Sequence, residues 1–278
     1  MNASYIIDNN LQKYSELKKN LSDNNIAVKI GSPDELFTPA YWKYICEKTD
    51  AVKNPSRYHL GVSLQEEVVA CLLGGHGIKG EHGLSAFNAL KNTGIITAAS
   101  EINSNDIEEI LRQPITINGR SIKYRFPKQK AIYISGALQK LNNESPPLES
   151  GQALRNWLTE IKGVGVKTAS WVARNWLDAD DVAIIDIHIQ RAGVLMGLFY
   201  PQEKVTKDYL SMEHRFVQLA KSIGVPTSVL DNVIWNEIRQ TPSVVRRCLI
   251  SMGVHAEDPC GLPTPNKRNT NTTYSLFS

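Results

Sequence analysis

The sequence predicts a mainly α fold carrying one small β-hairpin, and three stretches carry that prediction. Residues 158–188, LTEIKGVGVKTASWVARNWLDADDVAIIDIH, read as helix, glycine turn, helix, connector and a further helix start. Apolar residues recur at helical spacing through most of the remaining chain, as in LQEEVVACLL at 64–73 and SVLDNVIWNEIRQ at 228–240. The departure is ITINGRSIKY, where polar and apolar residues alternate around Asn118-Gly119, the pair favoured by two-residue hairpin turns.

Taken in order, residues 1–30 are polar and asparagine-rich, with Leu11, Tyr14, Leu17 and Leu21 spaced for one short helix. Ser32-Pro33-Asp34-Glu35 reads as a helix start leading into a helix from Phe37 to Lys48. The helix at 64–73 runs into Gly74-Gly75-His76-Gly77-Ile78-Lys79-Gly80, a glycine-rich loop. Helices over 84–90 and 104–111 precede strands near 114–118 and 120–125. In RFPKQKAIYI, the basic Arg125, Lys128 and Lys130 interleave with Phe126 and Tyr133, the pattern of a solvated basic face or of a nucleic-acid contact. NNESPPLES at 142–150 is a loop. After the glycine-turn motif (154–177), helices are predicted over 187–198, over 203–222 and from Thr227, and the proline-rich polar tail beyond Val254 carries no periodicity. The boundaries that follow are an N-terminal helical extension (1–55), one main domain (56–258) and a disordered tail (259–278).

The glycine turn carries the chemistry. Trp157, Leu158 and Ile161 are spaced for a helix ending at Lys162, and Gly163-Val164-Gly165 breaks it, because glycine takes positive φ at little cost. Val166, Ala169, Val172, Ala173 and Trp176 form one side of the next helix, while Lys167, Trp171 and Arg174 share another. Unpaired N–H groups from Gly163 to Lys167 at a helix N-terminus favour an anion such as phosphate. The backbone carbonyls of Thr159, Ile161 and Val164 are candidates to hold a monovalent or divalent cation against that phosphate. Taken alone, GVG fits any helix–helix turn, Lys167 fits a phosphate contact, and Asp186 fits the N-cap of the helix IHIQRAGVLMGL.

The whole string resembles the helix-hairpin-helix (HhH-GPD) DNA glycosylase superfamily, whose signature is L-x-x-(I/L)-x-G-V-G-x-K-(T/V)-A followed by an acidic residue. Lys167 and Asp186 stand nineteen positions apart with His188 two further on, the spacing of the 8-oxoguanine DNA glycosylase branch. The resemblance covers roughly residues 60–255 and implies a two-lobed helical fold of minimal form, without the N-terminal β-domain of the eukaryotic enzymes. It implies Lys167 as the nucleophile at the deoxyribose C1′, helped by its helix end and by Arg174, and Asp186 as the group that stabilises charge on the sugar. It further implies DNA contacts by Gly163, Gly165, Val166 and His188, by Gln129 and Lys130 at the orphaned base, and by His76, Ile78 or Lys79 as the minor-groove filler, although the family's usual Gln or Asn is absent there. The flipped base would lie among Trp171, Trp235 and Asp231, whose carboxylate selects an edge rich in donors.

Composition is compatible with this reading. The chain has 278 residues, 42% hydrophobic and 21% charged, with a net charge of +3, ordinary for a soluble globular protein. Its four cysteines, Cys46, Cys71, Cys248 and Cys260, form neither a disulfide framework nor the C-terminal iron–sulfur spacing usual in the endonuclease III branch. No apolar run or signal peptide directs it to a membrane, so a cytoplasmic monomer, nucleoid-associated if bacterial, is expected. The expected activity is a glycosylase with AP lyase function on double-stranded DNA, excising 8-oxoguanine and requiring no cofactor, with the hairpin open to a structural monovalent or divalent cation. Two alternatives stay open: excision of another modified base, such as a bulky modified cytosine in phage DNA, or a non-catalytic helix-hairpin-helix DNA-binding module.

Overall fold

Two apolar cores, not one, organise the chain. The computed structural model describes residues 28–49, 58–75, 77–98 and 102–261. Among them are helices α1 (Pro39–Lys48), α2 (Leu64–Leu73), α3 (Gly80–Asn92), α4 (Ser104–Arg112), α5 (Pro127–Asn143) and α6 (Gly151–Leu158). α7 (Val166–Leu177), α8 (Ile187–Leu195), α9 (Val205–Ile223), α10 (Thr227–Gln240) and α11 (Pro242–Ser251) follow. The mainly α architecture with a small hairpin is as the sequence predicts. No helix among the described residues is long and apolar enough to cross a membrane.

The first core is built by α2 to α7. Leu72, Leu73, Phe87, Ile107, Ile134 and Leu154 are each fully buried in it. The second core gathers α1 with α8 to α11 around Trp42, Phe216, Leu230 and Ile234. Trp42 is wholly buried there, so α1 is an integral part of the second core and not an extension appended to a 56–258 domain. The short helix expected around Leu11 to Leu21 lies outside the described residues.

Local chemistry explains most boundaries. The Ser63 hydroxyl caps α2 by accepting from the Glu66 N–H. Strands β1 (Ile115–Ile117) and β2 (Arg120–Ile122) pair antiparallel, Ile117 opposite Arg120, with Asn118 and Gly119 both at positive φ as a type I′ turn requires. Three expectations are corrected. Ser32 to Glu35 is a turn; α1 begins at Pro39, capped by Thr38, because Phe37 adopts φ +64° and interrupts any earlier start. α6 stops at Leu158 and not at Lys162: the Thr159 hydroxyl donates to the Asn156 carbonyl at 2.6 Å, and the Ile161 N–H tightens onto the Leu158 carbonyl at 3.1 Å. The tail begins later than 259, since Cys260 is fully buried and the Cys260 and Gly261 carbonyls each accept from Arg191 at 3.0 Å. Residues 262–278 lie outside the described residues.

The cores meet along a polar seam. Glu213 of α9 accepts from Arg155 of α6, from the Ser170 hydroxyl of α7 at 2.7 Å and from the Ala183 N–H at 3.1 Å. Burial pushes its carboxyl up against these donors. Such a network is costly to break, because removing one partner strands the others away from water.

Candidate active site

The glycine hairpin lies where the two cores meet. Its first glycine is demanded twice: Gly163 has φ +92°, and a Cβ there would stand 2.2 Å from the Tyr133 ring of α5. Gly165 is different, with φ −83° and nothing within 4 Å of an added Cβ. The fold does not require a glycine there, but an approaching backbone would benefit from one. α7 has no side-chain cap at Gly165, so the N–H groups of its first turn point outward unclaimed, as anion binding requires. Gly163→Ala should therefore lower stability by about 1–3 kcal/mol. Gly165→Ala should leave the melting temperature unchanged or slightly raised yet weaken duplex binding. Thermal melts and a duplex titration at one salt concentration check the pair.

Val166 is partly buried against the second core, while Ala169, Val172 and Ala173 of the same helix lie in the first. Lys167, next along, is thus placed at the seam. It is half-buried, and its ammonium takes no hydrogen bond or ion pair among the described residues.

Asp186 ends a connector whose backbone is held by side chains. Ala183 N–H donates to Glu213, the Ala183 carbonyl accepts from the Tyr209 hydroxyl at 2.8 Å, and the Ile185 N–H donates to the same Tyr209 oxygen at 3.2 Å. Ile184 N–H donates to Asp231 Oδ2 at 3.3 Å. Asp186 then N-caps α8, as the sequence predicts: Oδ1 accepts from the His188 and Ile189 N–H groups at 2.8 and 3.0 Å. Oδ2 accepts from the Trp235 indole N–H at 3.0 Å.

His188 follows on α8, its ring 6.1 Å from that of Trp235, edge to face. Burial lowers its pKa, with Arg191 and Arg239 acting in the same direction against Asp186, so the imidazole is neutral at pH 7.

The remaining expected site residues are placed differently. Asp231 is 2% exposed, with Oδ1 3.4 Å from Arg174 Nη2. Burial raises its pKa to about 6 despite Arg174 and the Ile184 N–H. Arg174 is itself buried, lies over the Tyr58 ring at 4.2 Å, and is spent on Asp231 instead of standing free beside Lys167. Trp171 and Trp235 pack on opposite cores, Trp171 close to Gly74 and Trp235 under the Arg239 guanidinium at 4.4 Å. Gln129 is exposed and donates to the Tyr133 hydroxyl at 2.9 Å.

Lys130 turns inward, its ammonium donating to the Leu72 carbonyl and lying 3.4 Å from that of Gly74, and burial lowers its pKa. With the Tyr124 hydroxyl on the Leu73 carbonyl at 2.8 Å and Arg125 on the Gly77 carbonyl at 3.2 Å, it clamps the C-terminal end of α2 and the loop beyond. In that loop Ile78 is half-buried and Lys79 exposed, while His76 lies outside the described residues.

Of the proposed cation ligands, the Ile161 carbonyl already accepts the Val164 N–H at 3.0 Å. Among the described residues no three His, Cys, Asp or Glu side chains cluster as a metal site.

Sequence reasoning missed Tyr209 and Glu213. Their signal was visible: both sit on the apolar stripe of α9 with Met212 and Phe216, and a carboxylate on such a stripe marks a buried polar network. Glu67 inside the apolar run of α2 is a second case. Its Oε2 accepts from the Leu60 and Gly61 N–H groups, and its Oε1 accepts from the Asn175 amide at 2.7 Å.

A helical hairpin with open N–H groups and a lysine behind its second glycine, in a chain whose next helix is capped by an aspartate, defines a protein of the helix-hairpin-helix class. Residues 46–225 match the family model of the 8-oxoguanine DNA glycosylase helix-hairpin-helix domain, and the chain belongs to that family. The 8-oxoguanine DNA glycosylase/AP lyase of Saccharolobus solfataricus is 33% identical over 173 residues, 59% of this chain and 77% of that protein. Its counterpart in Saccharolobus islandicus is 34% identical over 149 residues, 50% of this chain and 68% of that protein. The crystal structure of Methanocaldococcus jannaschii 8-oxoguanine DNA glycosylase, 24% identical, aligns at a TM-score of 0.49 over 83% of this chain and 96% of that one.

Proposed function

We propose that this protein is a DNA glycosylase with AP lyase activity that removes 8-oxoguanine from duplex DNA. The observation that carries the reading is Lys167, an ammonium without a protein partner among the described residues, placed immediately behind an open helix N-terminus at the seam of two cores. Solvated lysines without partners are common; what sets Lys167 apart is its place in the uncapped first turn of α7, where an amine can meet a nucleotide whose phosphate that turn binds. The names of the curated relatives support the substrate and the lyase step.

The sequence of events starts with phosphate bound at the N–H groups of α7 and the target nucleotide extruded from the stack. As a neutral amine, Lys167 Nζ forms a bond to C1′ while the C1′–N9 bond of the lesion breaks and the base leaves with the bonding pair. Asp186 stabilises the positive charge that develops on the sugar. Ring opening yields an imine between Nζ and C1′. Loss of a C2′ proton then expels the 3′ phosphate by β-elimination and nicks the strand. His188, in the first turn of α8, contributes a hydrogen bond near the extruded nucleotide.

A panel of duplexes tests this reading, with 8-oxoguanine, an abasic site, a bulky modified cytosine and undamaged guanine in one sequence context. Excision and nicking are expected at 8-oxoguanine, and nicking alone at the abasic site. Activity confined to the cytosine derivative would overturn the substrate and keep the lysine chemistry. Binding without excision on every duplex would leave a DNA-binding module.

A further inference from the structure

We propose that Trp235 is a positioning residue that aims the Asp186 carboxylate through its indole N–H, an assignment that rests on the glycosylase reading above. Three donors converge on Asp186, and they come from two directions. Oδ1 is fixed by two backbone N–H groups of α8, and Oδ2 by Trp235 Nε1 at 3.0 Å. The cap holds only Oδ1; the third bond, from a different helix, anchors Oδ2 as well and so fixes the plane of the whole carboxylate. Trp235 is itself held by Arg239 over its face and by the edge of His188.

One turn earlier on the same helix, Asp231 takes the Ile184 N–H at 3.3 Å, two residues before Asp186. α10 thus grips the connector at two points, and both grips are buried or half-buried. An indole is the side chain that suits this task. It is a rigid donor without an acceptor, so it faces a carboxylate in only one way. Had the ring served solely as a stacking surface, its N–H would have no reason to meet the one carboxylate that caps α8.

The two roles separate by substitution, because phenylalanine keeps an aromatic face and loses the donor. Trp235→Phe is expected to slow single-turnover excision from an 8-oxoguanine duplex by roughly ten- to hundredfold, the scale of a lost hydrogen bond to a charged group. Duplex affinity should stay within about twofold, since Asp186 acts on the developing charge and not on binding. Replacing the indole N–H by sulfur, with a benzothienylalanine at position 235, keeps the ring's shape and should give the same loss in a fully folded protein. In an Asp186→Asn background the Trp235→Phe step should change the rate by less than about twofold, because two residues acting through one carboxylate are not additive.

Wild-type excision by the sulfur analogue, with Asp186→Asn slowed by two or more orders of magnitude, would overturn the inference and leave the glycosylase reading standing. Additive losses in the double mutant would also overturn it, placing Trp235 on the base. Binding without excision by the wild-type protein itself would instead overturn the glycosylase reading, whatever Trp235 does.

Discussion

Lys167→Gln is expected to abolish the covalent protein–DNA adduct that borohydride traps during reaction on an 8-oxoguanine duplex. Reduction of the imine fixes the link between Nζ and C1′, and glutamine offers no amine to form it. The structure sharpens this expectation, because Lys167 has no hydrogen bond or ion pair among the described residues whose loss would disturb the fold. Stability should therefore stay within about 0.5 kcal/mol of wild type, the usual range for such a site. Duplex affinity should fall only modestly, since the phosphate contacts proposed here come from N–H groups of the α7 first turn. Trapping at wild-type levels by the glutamine variant would show that another amine attacks. A variant that neither traps nor binds would place Lys167 among the phosphate contacts.

How much was legible in advance depends on whether the cause is local. The limits of α2 follow from Ser63 and an uninterrupted apolar run, and the hairpin follows from Asn118-Gly119, whose positive φ angles those residues accept cheaply. The cap by Asp186 is local too, made with N–H groups two and three residues on. Where the cause lies elsewhere in the chain, the reading slipped. Nothing near Lys130 announces that its ammonium turns to the end of α2, fifty-eight positions upstream. Likewise Arg174 shares a helical face with Lys167 in the sequence, but the ion pair that claims it comes from α10. Asp231 and Trp235 stand four residues apart in the sequence, and that spacing does put them on one face of α10. What the spacing could not carry is that the face meets the connector and the Asp186 carboxylate.

Asp186→Asn should slow base excision by two or more orders of magnitude while leaving an intact, DNA-binding protein. Removing a preorganised charge from the place where positive charge develops commonly costs on the order of 10²–10³ in rate. The surroundings of Asp186 add a structural consequence. A carboxylate offers acceptors on both sides, and here both are used, Oδ1 by the α8 N–H groups and Oδ2 by Trp235. An asparagine can accept on one side only. If its oxygen keeps the cap, its NH2 faces the indole N–H, donor against donor, and one hydrogen bond is lost. Stability should then fall by about 1–2 kcal/mol, because an unmet buried donor costs its desolvation. This is more than an asparagine cap alone would predict, since asparagine caps about as well as aspartate. Thermal melts of Asp186→Asn, first alone and then combined with Trp235→Phe, check the point. In the Trp235→Phe background the opposed donor is gone, and the asparagine should cost less than it does beside the indole. Equal losses in both backgrounds, with excision slowed as expected, would leave Asp186 acting in the reaction and Trp235 idle beside it.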